Sequence, residues 1–152
     1  MSNCKLEETN RQPTLSMKIT TSVNSLIKDL KKGYAHIDLY LDELGEVPVG
    51  PPYTAYYNWE GDSIEVELGY PVKKALPGKG CIFPYEIPSG KKATLMYYGR
   101  LQKIAPSYKS LNTWIEKSGY QAGVNYEFYY NLLENVPDEQ LVTKISYIIT
   151  KI

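Results

Sequence analysis

The sequence predicts an α+β domain with antiparallel strand pairing, built from two pseudo-symmetric strand–helix–strand–strand modules with the helices on one face of the sheet. Three features predict it. Two segments carry apolar residues at helical spacing. Each is followed, past a glycine, by a tyrosine-rich strand: GPPYTAYYN at residues 50–58 and GVNYEFYYN at 123–131. Each of those leads into a further alternating strand, IEVELGYPV at 64–72 and LVTKISYII at 141–149.

Along the chain, residues 5–8 form a short strand, and residues 15–20 (LSMKIT) alternate apolar and polar as a half-buried strand does. Thr21 and Ser22 are N-cap candidates. Beyond them Val23, Leu26, Ile27, Leu30, Tyr34, Ile37, Leu41 and Leu44 recur at three and four, one face of an amphipathic helix over 23–44 that Gly45 stops. Gly33 weakens that helix locally. After a loop stiffened by Pro48, Pro51 and Pro52, residues 53–59 and 64–72 read as a hairpin turning at Glu60-Gly61-Asp62. The linker LPGKG at 76–80 lacks phosphate-loop spacing. Strands are then expected at 80–85 and 92–98, a helix at 105–117, a strand at 126–131, a helical turn near Pro137 and a last strand at 141–149.

The two halves align. Tyr34, Ile37, Tyr40, Leu41 and Gly45 match Tyr108, Leu111, Trp114, Ile115 and Gly119 at constant spacing. Tyr53, Tyr56, Tyr57 and Asn58 match Tyr126, Tyr129, Tyr130 and Asn131. The expected modules are about 5–75 and 79–152 of a single domain, with a ligand cleft where such units meet.

Composition narrows the function. Lysine plus arginine and aspartate plus glutamate number 17 each, so no net field favours a polyanion, and direct nucleic-acid binding is not expected. Tyrosine is abundant, 15 against 2 phenylalanines, and its amphipathic ring suits strands, interfaces and pockets alike. Cys4 and Cys81 have no metal spacing and read as free thiols in a reducing cytoplasm, Cys81 as a buried strand residue. His36 is the only histidine, which excludes a His-His metal site and a Ser-His-Asp triad. The N-terminus has no apolar signal region, and no apolar run is long enough for a membrane helix. The expectation is a cytoplasmic monomer or weak dimer with no cofactor, metal or membrane association.

The ordered segments VGPPYTAYYN, IEVELGYPV, YKSLNTWIEKSGY, YEFYYN and VPDEQLVTKISYII resemble the GyrI-like small-molecule-binding domain, over about residues 5–152. That domain also forms the effector-binding half of multidrug-sensing bacterial transcription activators. The resemblance implies the stand-alone binding domain, with a pocket between the modules that takes lipophilic, cationic or aromatic molecules against a buried acid. Some members resemble hydrolases of cyclopropane-containing toxins. Others are linked to protection of DNA gyrase.

Strand alternation puts Glu65, Glu67, Gly69 and Pro71 on one face of 64–72 and Ile64, Val66, Leu68, Tyr70 and Val72 on the other, beneath the helix. Glu67 then looks away from the helix, beside open space at Gly69. The acid of the family falls on Glu67. A carboxylate among aromatic rings is costly to bury alone, and a cationic ligand would offset that cost. A solvated outward glutamate is the plain alternative. The second module departs from the family: Lys144 stands in Thr-Lys-Ile where many members carry an acid. Lys144 either pairs with Glu67 or is solvated.

Aromatics occupy both faces of both tyrosine-rich strands, so about half of them are core, and alternation by itself assigns neither set to a pocket. The candidate ligand-binding set is Glu67, Tyr57, Trp59, Tyr97, Tyr130, Lys144 and Tyr147, with Tyr98 beside Tyr97. The leading function is sensing or sequestration of lipophilic, cationic aromatic molecules. The second is hydrolysis of a reactive toxin with Glu67 as base or nucleophile and a tyrosine as proton donor. The third is regulation of a protein partner, a topoisomerase or a transcription regulator.

Overall fold

A computed structural model describes residues 3–152. The chain divides into two compact units, residues 11–88 and residues 89–152 joined by the N-terminal segment up to Asn10. Each is a four-stranded antiparallel sheet with one helix on one face, an α+β arrangement.

The 11–88 unit runs β2 (Gln12–Thr21), α1 (Leu26–Leu44), β3 (Tyr53–Glu60), β4 (Ser63–Pro71) and β5 (Phe83–Ile87), paired in the order β3-β4-β2-β5. Helix α1 lays Leu30, Tyr34, Ile37 and Leu41 on the sheet, where all are fully buried. It runs unbroken through Gly33 for a packing reason. A Cβ at Gly33 would lie 2.6 Å from the Leu68 side chain of β4, so the glycine lets helix and sheet approach closely. Gly45 ends the helix in the left-handed conformation, at φ 69°. The helix begins three residues later than periodicity suggests. Thr21 still belongs to β2, and the backbone N–H of Ser25 donates to the Ser22 carbonyl and hydroxyl, which spends residues 22–25 on a turn.

The other unit contains β1 (Lys5–Thr9), β6 (Gly90–Tyr98), α2 (Ala105–Lys117), β7 (Tyr120–Tyr129) and β8 (Val142–Lys151), paired β1-β6-β8-β7. Its core joins Ala93, Leu95, Ile145 and Ile149 of the sheet to Leu111 and Ile115 of α2. The strand expected at the head of the first module, β1, pairs with β6 and belongs here instead. Asp138–Gln140 forms the single helical turn after Pro137, a 3-10 turn.

Two strands differ from expectation. β5 starts at Phe83, because Lys79 and Ile82 close a tight turn through reciprocal backbone bonds of 2.9 and 3.0 Å, with Gly80 at φ 60°. Cys81 therefore sits exposed in that turn, not buried in a strand. β7 starts at Tyr120, and a one-residue bulge between Ala122 and Asn125 keeps it in register with β8. No helix among the described residues is long and apolar enough to cross a membrane.

Candidate functional site

Cross-strand register in the 11–88 unit defines the face away from α1. Leu68, Tyr70 and Val66 point toward α1, as the Gly33–Leu68 contact and the edge-on packing of Tyr34 on Tyr70 require. Glu67 and Gly69 point the other way, together with their partners Ala55 and Tyr53 on β3 and Lys18 and Ser16 on β2.

Glu67 lies at the centre of that face and is only 1% exposed. Two phenols satisfy it. The Tyr53 hydroxyl donates to one carboxylate oxygen, and the Tyr57 hydroxyl donates to Oε1 at 2.9 Å. Behind Tyr53 stand two more hydroxyls, Ser16 Oγ at 2.6 Å and Thr14 Oγ1 at 3.2 Å, themselves 2.8 Å apart. Burial, with the Glu67 charge next, pushes the Tyr53 phenol well above its ordinary value, so Tyr53 stays a proton donor. The space beside Gly69 is filled. A Cβ there would stand 2.5 Å from the Leu15 carbonyl oxygen and 3.0 Å from the Tyr53 ring, so glycine is what lets Tyr53 reach Glu67.

A bulge decides which aromatics share this face. Tyr56 opposes Val66 and Asn58 opposes Glu65, so Tyr57 is an extra residue in β3. Tyr57 turns its hydroxyl onto Glu67 while its ring remains 45% exposed. The extra residue also carries Trp59 to the opposite face, across from Ile64, where it stacks on Tyr56 at 5.8 Å. Strict alternation put Trp59 beside Tyr57, and the bulge separates them. Lys18 lies across from Glu67 and directs its ammonium over the rings of Tyr57 and Phe83, 5.7 and 5.9 Å from their centroids. These rings thus already hold a cation.

The remaining candidates lie in the other unit. Lys144 faces away from α2, opposite Met96 and Phe128, and its ammonium donates to Glu7 Oε1 of β1 at 2.8 Å. That pairing answers the alternatives left open by the sequence: the partner of Lys144 is Glu7, whose other oxygen accepts Thr94 Oγ1 at 2.8 Å. Burial works against the Glu7 carboxylate, but the bonds from Lys144 and Thr94 outweigh it and hold the group below its usual range. Lys92 is buried on the same face and donates to Thr9 Oγ1 at 2.5 Å, and burial pushes its pKa down. Tyr130 follows β7 and is half exposed. Tyr97 and Tyr147 lie on the α2 side: Tyr97 donates to the Arg100 carbonyl at 2.5 Å, and Tyr147 packs edge-on against Tyr108. Within the 11–88 unit, Tyr57 joins Glu67 and Trp59 lies on the other face. Within the other unit, Lys144 lies on the opposite face of the sheet from Tyr97 and Tyr147.

Sequence reasoning missed a second buried carboxylate. Glu127 on β7 lies opposite Ile145 and faces α2. It accepts from the Tyr108 hydroxyl on that helix and from the Tyr129 hydroxyl at 2.7 Å, while Asn125 Nδ2 donates to Tyr108 at 3.0 Å. A signal for it existed. The alignment matches Glu127 with Thr54 and Tyr108 with Tyr34, and Tyr34 bonds Thr54 Oγ1 at 2.7 Å. The polar helix–strand contact is thus present in both units. Ser16 could have been read from LSMKIT, whose alternation sets it beside Lys18. Among the described residues no group of three or more potential metal ligands converges.

The model of the GyrI-like small molecule binding domain matches residues 10–148. No curated protein matches the chain in sequence. Among solved structures, the EcmrR C-terminal domain superposes with a TM-score of 0.81 at 18% identity, covering 100% of this chain and 99% of that one. EcmrR within its DNA complex gives 0.85 at 18%, where the match covers 99% of this chain and 58% of the EcmrR chain. This chain thus spans little more than half of that regulator. A hydrolase from Listeria innocua gives 0.67 at 9%, covering 97% and 91%. SAV2435, solved bound to tetraphenylphosphonium, gives 0.67 at 9%, covering 97% and 94%. At these identities the likeness is one of fold.

Proposed function

We propose a function from one premise: the chain belongs to the family of GyrI-like small molecule binding domains. It captures lipophilic cations on the face of the 11–88 unit that carries Glu67, for sensing or sequestration. One observation supports this above the others: a carboxylate 1% exposed, ringed by tyrosines and without a basic partner among the described ion pairs. Two phenols satisfy that carboxylate in the free protein, so its burial is tolerated. A delocalised cation displaces the Tyr57 hydroxyl, takes up the negative charge and stacks on the half-exposed Tyr57 ring and the partly buried Phe83 ring, where the Lys18 ammonium now lies. The tetraphenylphosphonium held by SAV2435 is a ligand of this class. Repetition of the strand–helix–strand–strand run in each unit supports the reading of two copies of one plan.

Titration with tetraphenylphosphonium, read by quenching of Trp59 and Trp114, tests the proposal. Glu67→Gln weakens binding about tenfold or more, the loss expected of a buried charge contact. Tyr57→Phe keeps the ring, removes the competing hydroxyl and tightens binding about threefold, on the scale of one net hydrogen bond. Affinity equal to wild type in Glu67→Gln would sink the proposal.

A second reading has its own observation. A carboxylate touching two phenol hydroxyls is the equipment for general acid–base hydrolysis of a strained electrophile. Product formation from a cyclopropane-bearing substrate, lost in Glu67→Gln, would favour it. Turnover unchanged by that substitution would remove Glu67 from any such chemistry.

A further inference from the structure

We propose that a groove beside α2 is a second small-molecule site, one that takes an amphipathic anion: a carboxylate on a long-chain or aryl body. The groove has a volume of about 680 Å³ and is lined wholly by residues of the unit that contains α2. That volume lies within the ~300–1,000 Å³ usual for ligand sites.

Its origin is a step in the sheet edge. β1 begins its ladder at Lys5 opposite Thr94, whereas β6 runs on to Tyr98. Leu95 and Met96 pair with β8 on one side but lie beyond the β1 ladder on the other, and the groove lies between this step and α2. The helix presents different stripes to different neighbours. Leu111 and Ile115 enter the core. Pro106, Ser110, Thr113 and Lys117 recur at three and four on the adjacent stripe and line the groove.

The chemistry of the walls selects the ligand class. Cys4, Leu95 and Trp114 supply an apolar wall, and hydroxyls of Ser110 and Thr113 stand beside it. Lys109 and Lys117 are the charged residues of the lining, and no carboxylate is among them. Neither lysine forms an ion pair among the described residues. An apolar body lies against Trp114 and Leu95 while its carboxylate meets the two ammonium groups, which are exposed and free to turn toward it. This preference is opposite in sign to that proposed for Glu67, and neither Glu67 nor Tyr57 lines the groove.

The test uses dansyl-undecanoate and the full chain. With Trp59→Phe in every variant, Trp114 is the one remaining tryptophan of 2, and energy transfer from it to the dansyl group reports the groove. Two cysteines supply a second readout, because Cys4 lines the groove and Cys81 is exposed elsewhere. The expected result is saturable energy transfer, slower alkylation of Cys4 by N-ethylmaleimide with Cys81 unchanged, and undiminished binding in Glu67→Gln. The methyl ester of the probe, and the double variant Lys109→Gln/Lys117→Gln, should each bind about tenfold more weakly, as loss of two exposed charge contacts implies. Equal binding of ester and acid, indifference to the double substitution, unprotected Cys4, or loss of binding in Glu67→Gln would each overturn the assignment.

Discussion

Glu67 and Glu127 are both buried carboxylates held by two tyrosine hydroxyls, yet Glu67 stands on the face its helix leaves uncovered and Glu127 lies beneath α2. A helix tyrosine reaches a polar strand residue in both units, Tyr34 to Thr54 in one and Tyr108 to Glu127 in the other. On the uncovered face, the strand position that carries Glu67 in one unit carries Lys144 in the other, neutralised by Glu7. Similar strands thus lead to different chemistry. An acid under a helix is a fastener, with its hydrogen bonds completed inside the core. Under the proposed function, an acid on the face away from its helix, reached by a half-exposed tyrosine, exchanges that tyrosine for a ligand.

The largest expected effect probes what holds Glu67 in place. Gly69→Ala pushes a methyl into the Leu15 carbonyl and the Tyr53 ring, and should destabilise the protein by about 3 kcal/mol. Urea denaturation measures it, and an unchanged midpoint would mean that the close approach of Tyr53 is not needed.

Next in size is the fastener itself. Glu127→Gln turns an acceptor of two phenols into a group with one acceptor and one donor, and should cost about 2 kcal/mol. Its counterpart Thr54→Ala should cost about 1 kcal/mol, one ordinary hydrogen bond. The decisive comparison is with ligand: Glu127→Gln leaves tetraphenylphosphonium affinity at the wild-type value, whereas Glu67→Gln weakens it. Equal weakening by both would erase the distinction between the two acids.

The smallest effect concerns Lys144. The folded Glu7 is held below its usual range, so its contribution to stability is present above the unfolded value of about 4.3 and fades as pH falls through the lower folded value. Lys144→Gln removes the main favourable partner and should flatten that acid limb. At neutral pH the loss should be about 0.5 kcal/mol, because both side chains are partly exposed. Parallel stability profiles below pH 5 for the two proteins would show that the pair contributes nothing.

Periodicity made the helices legible, α2 to the residue, because their apolar stripes are long and glycines or turns close them. The hairpin of β3 and β4 was legible for the same reason, and alternation placed Glu67 opposite the helix-facing set. The aromatic set was not. One extra residue in β3 shifts the phase of the strand after it against the strand before it, and no local composition marks it. The partner of Lys144 was hidden by distance: Glu7 is 137 residues away in the chain. Gly33 and Gly69 looked like a weak point and an empty space. Both are places where a neighbour comes too close for a Cβ, the Leu68 side chain at Gly33 and the Leu15 carbonyl at Gly69, and those approaches are set by the fold around them.

The bulge at Tyr57 has a consequence for how such a site changes over generations. The ladder pairs before and after Tyr57 run on with the loss of this one residue from β3 alone. Removing its codon would leave Tyr56 opposite Val66 and Asn58 opposite Glu65, so every other side chain would keep its face. Tyr57 is therefore a detachable part, a residue that can be gained or lost whole while the sheet keeps its register. Under the proposed function, selection on what Glu67 admits has here a step of a single codon.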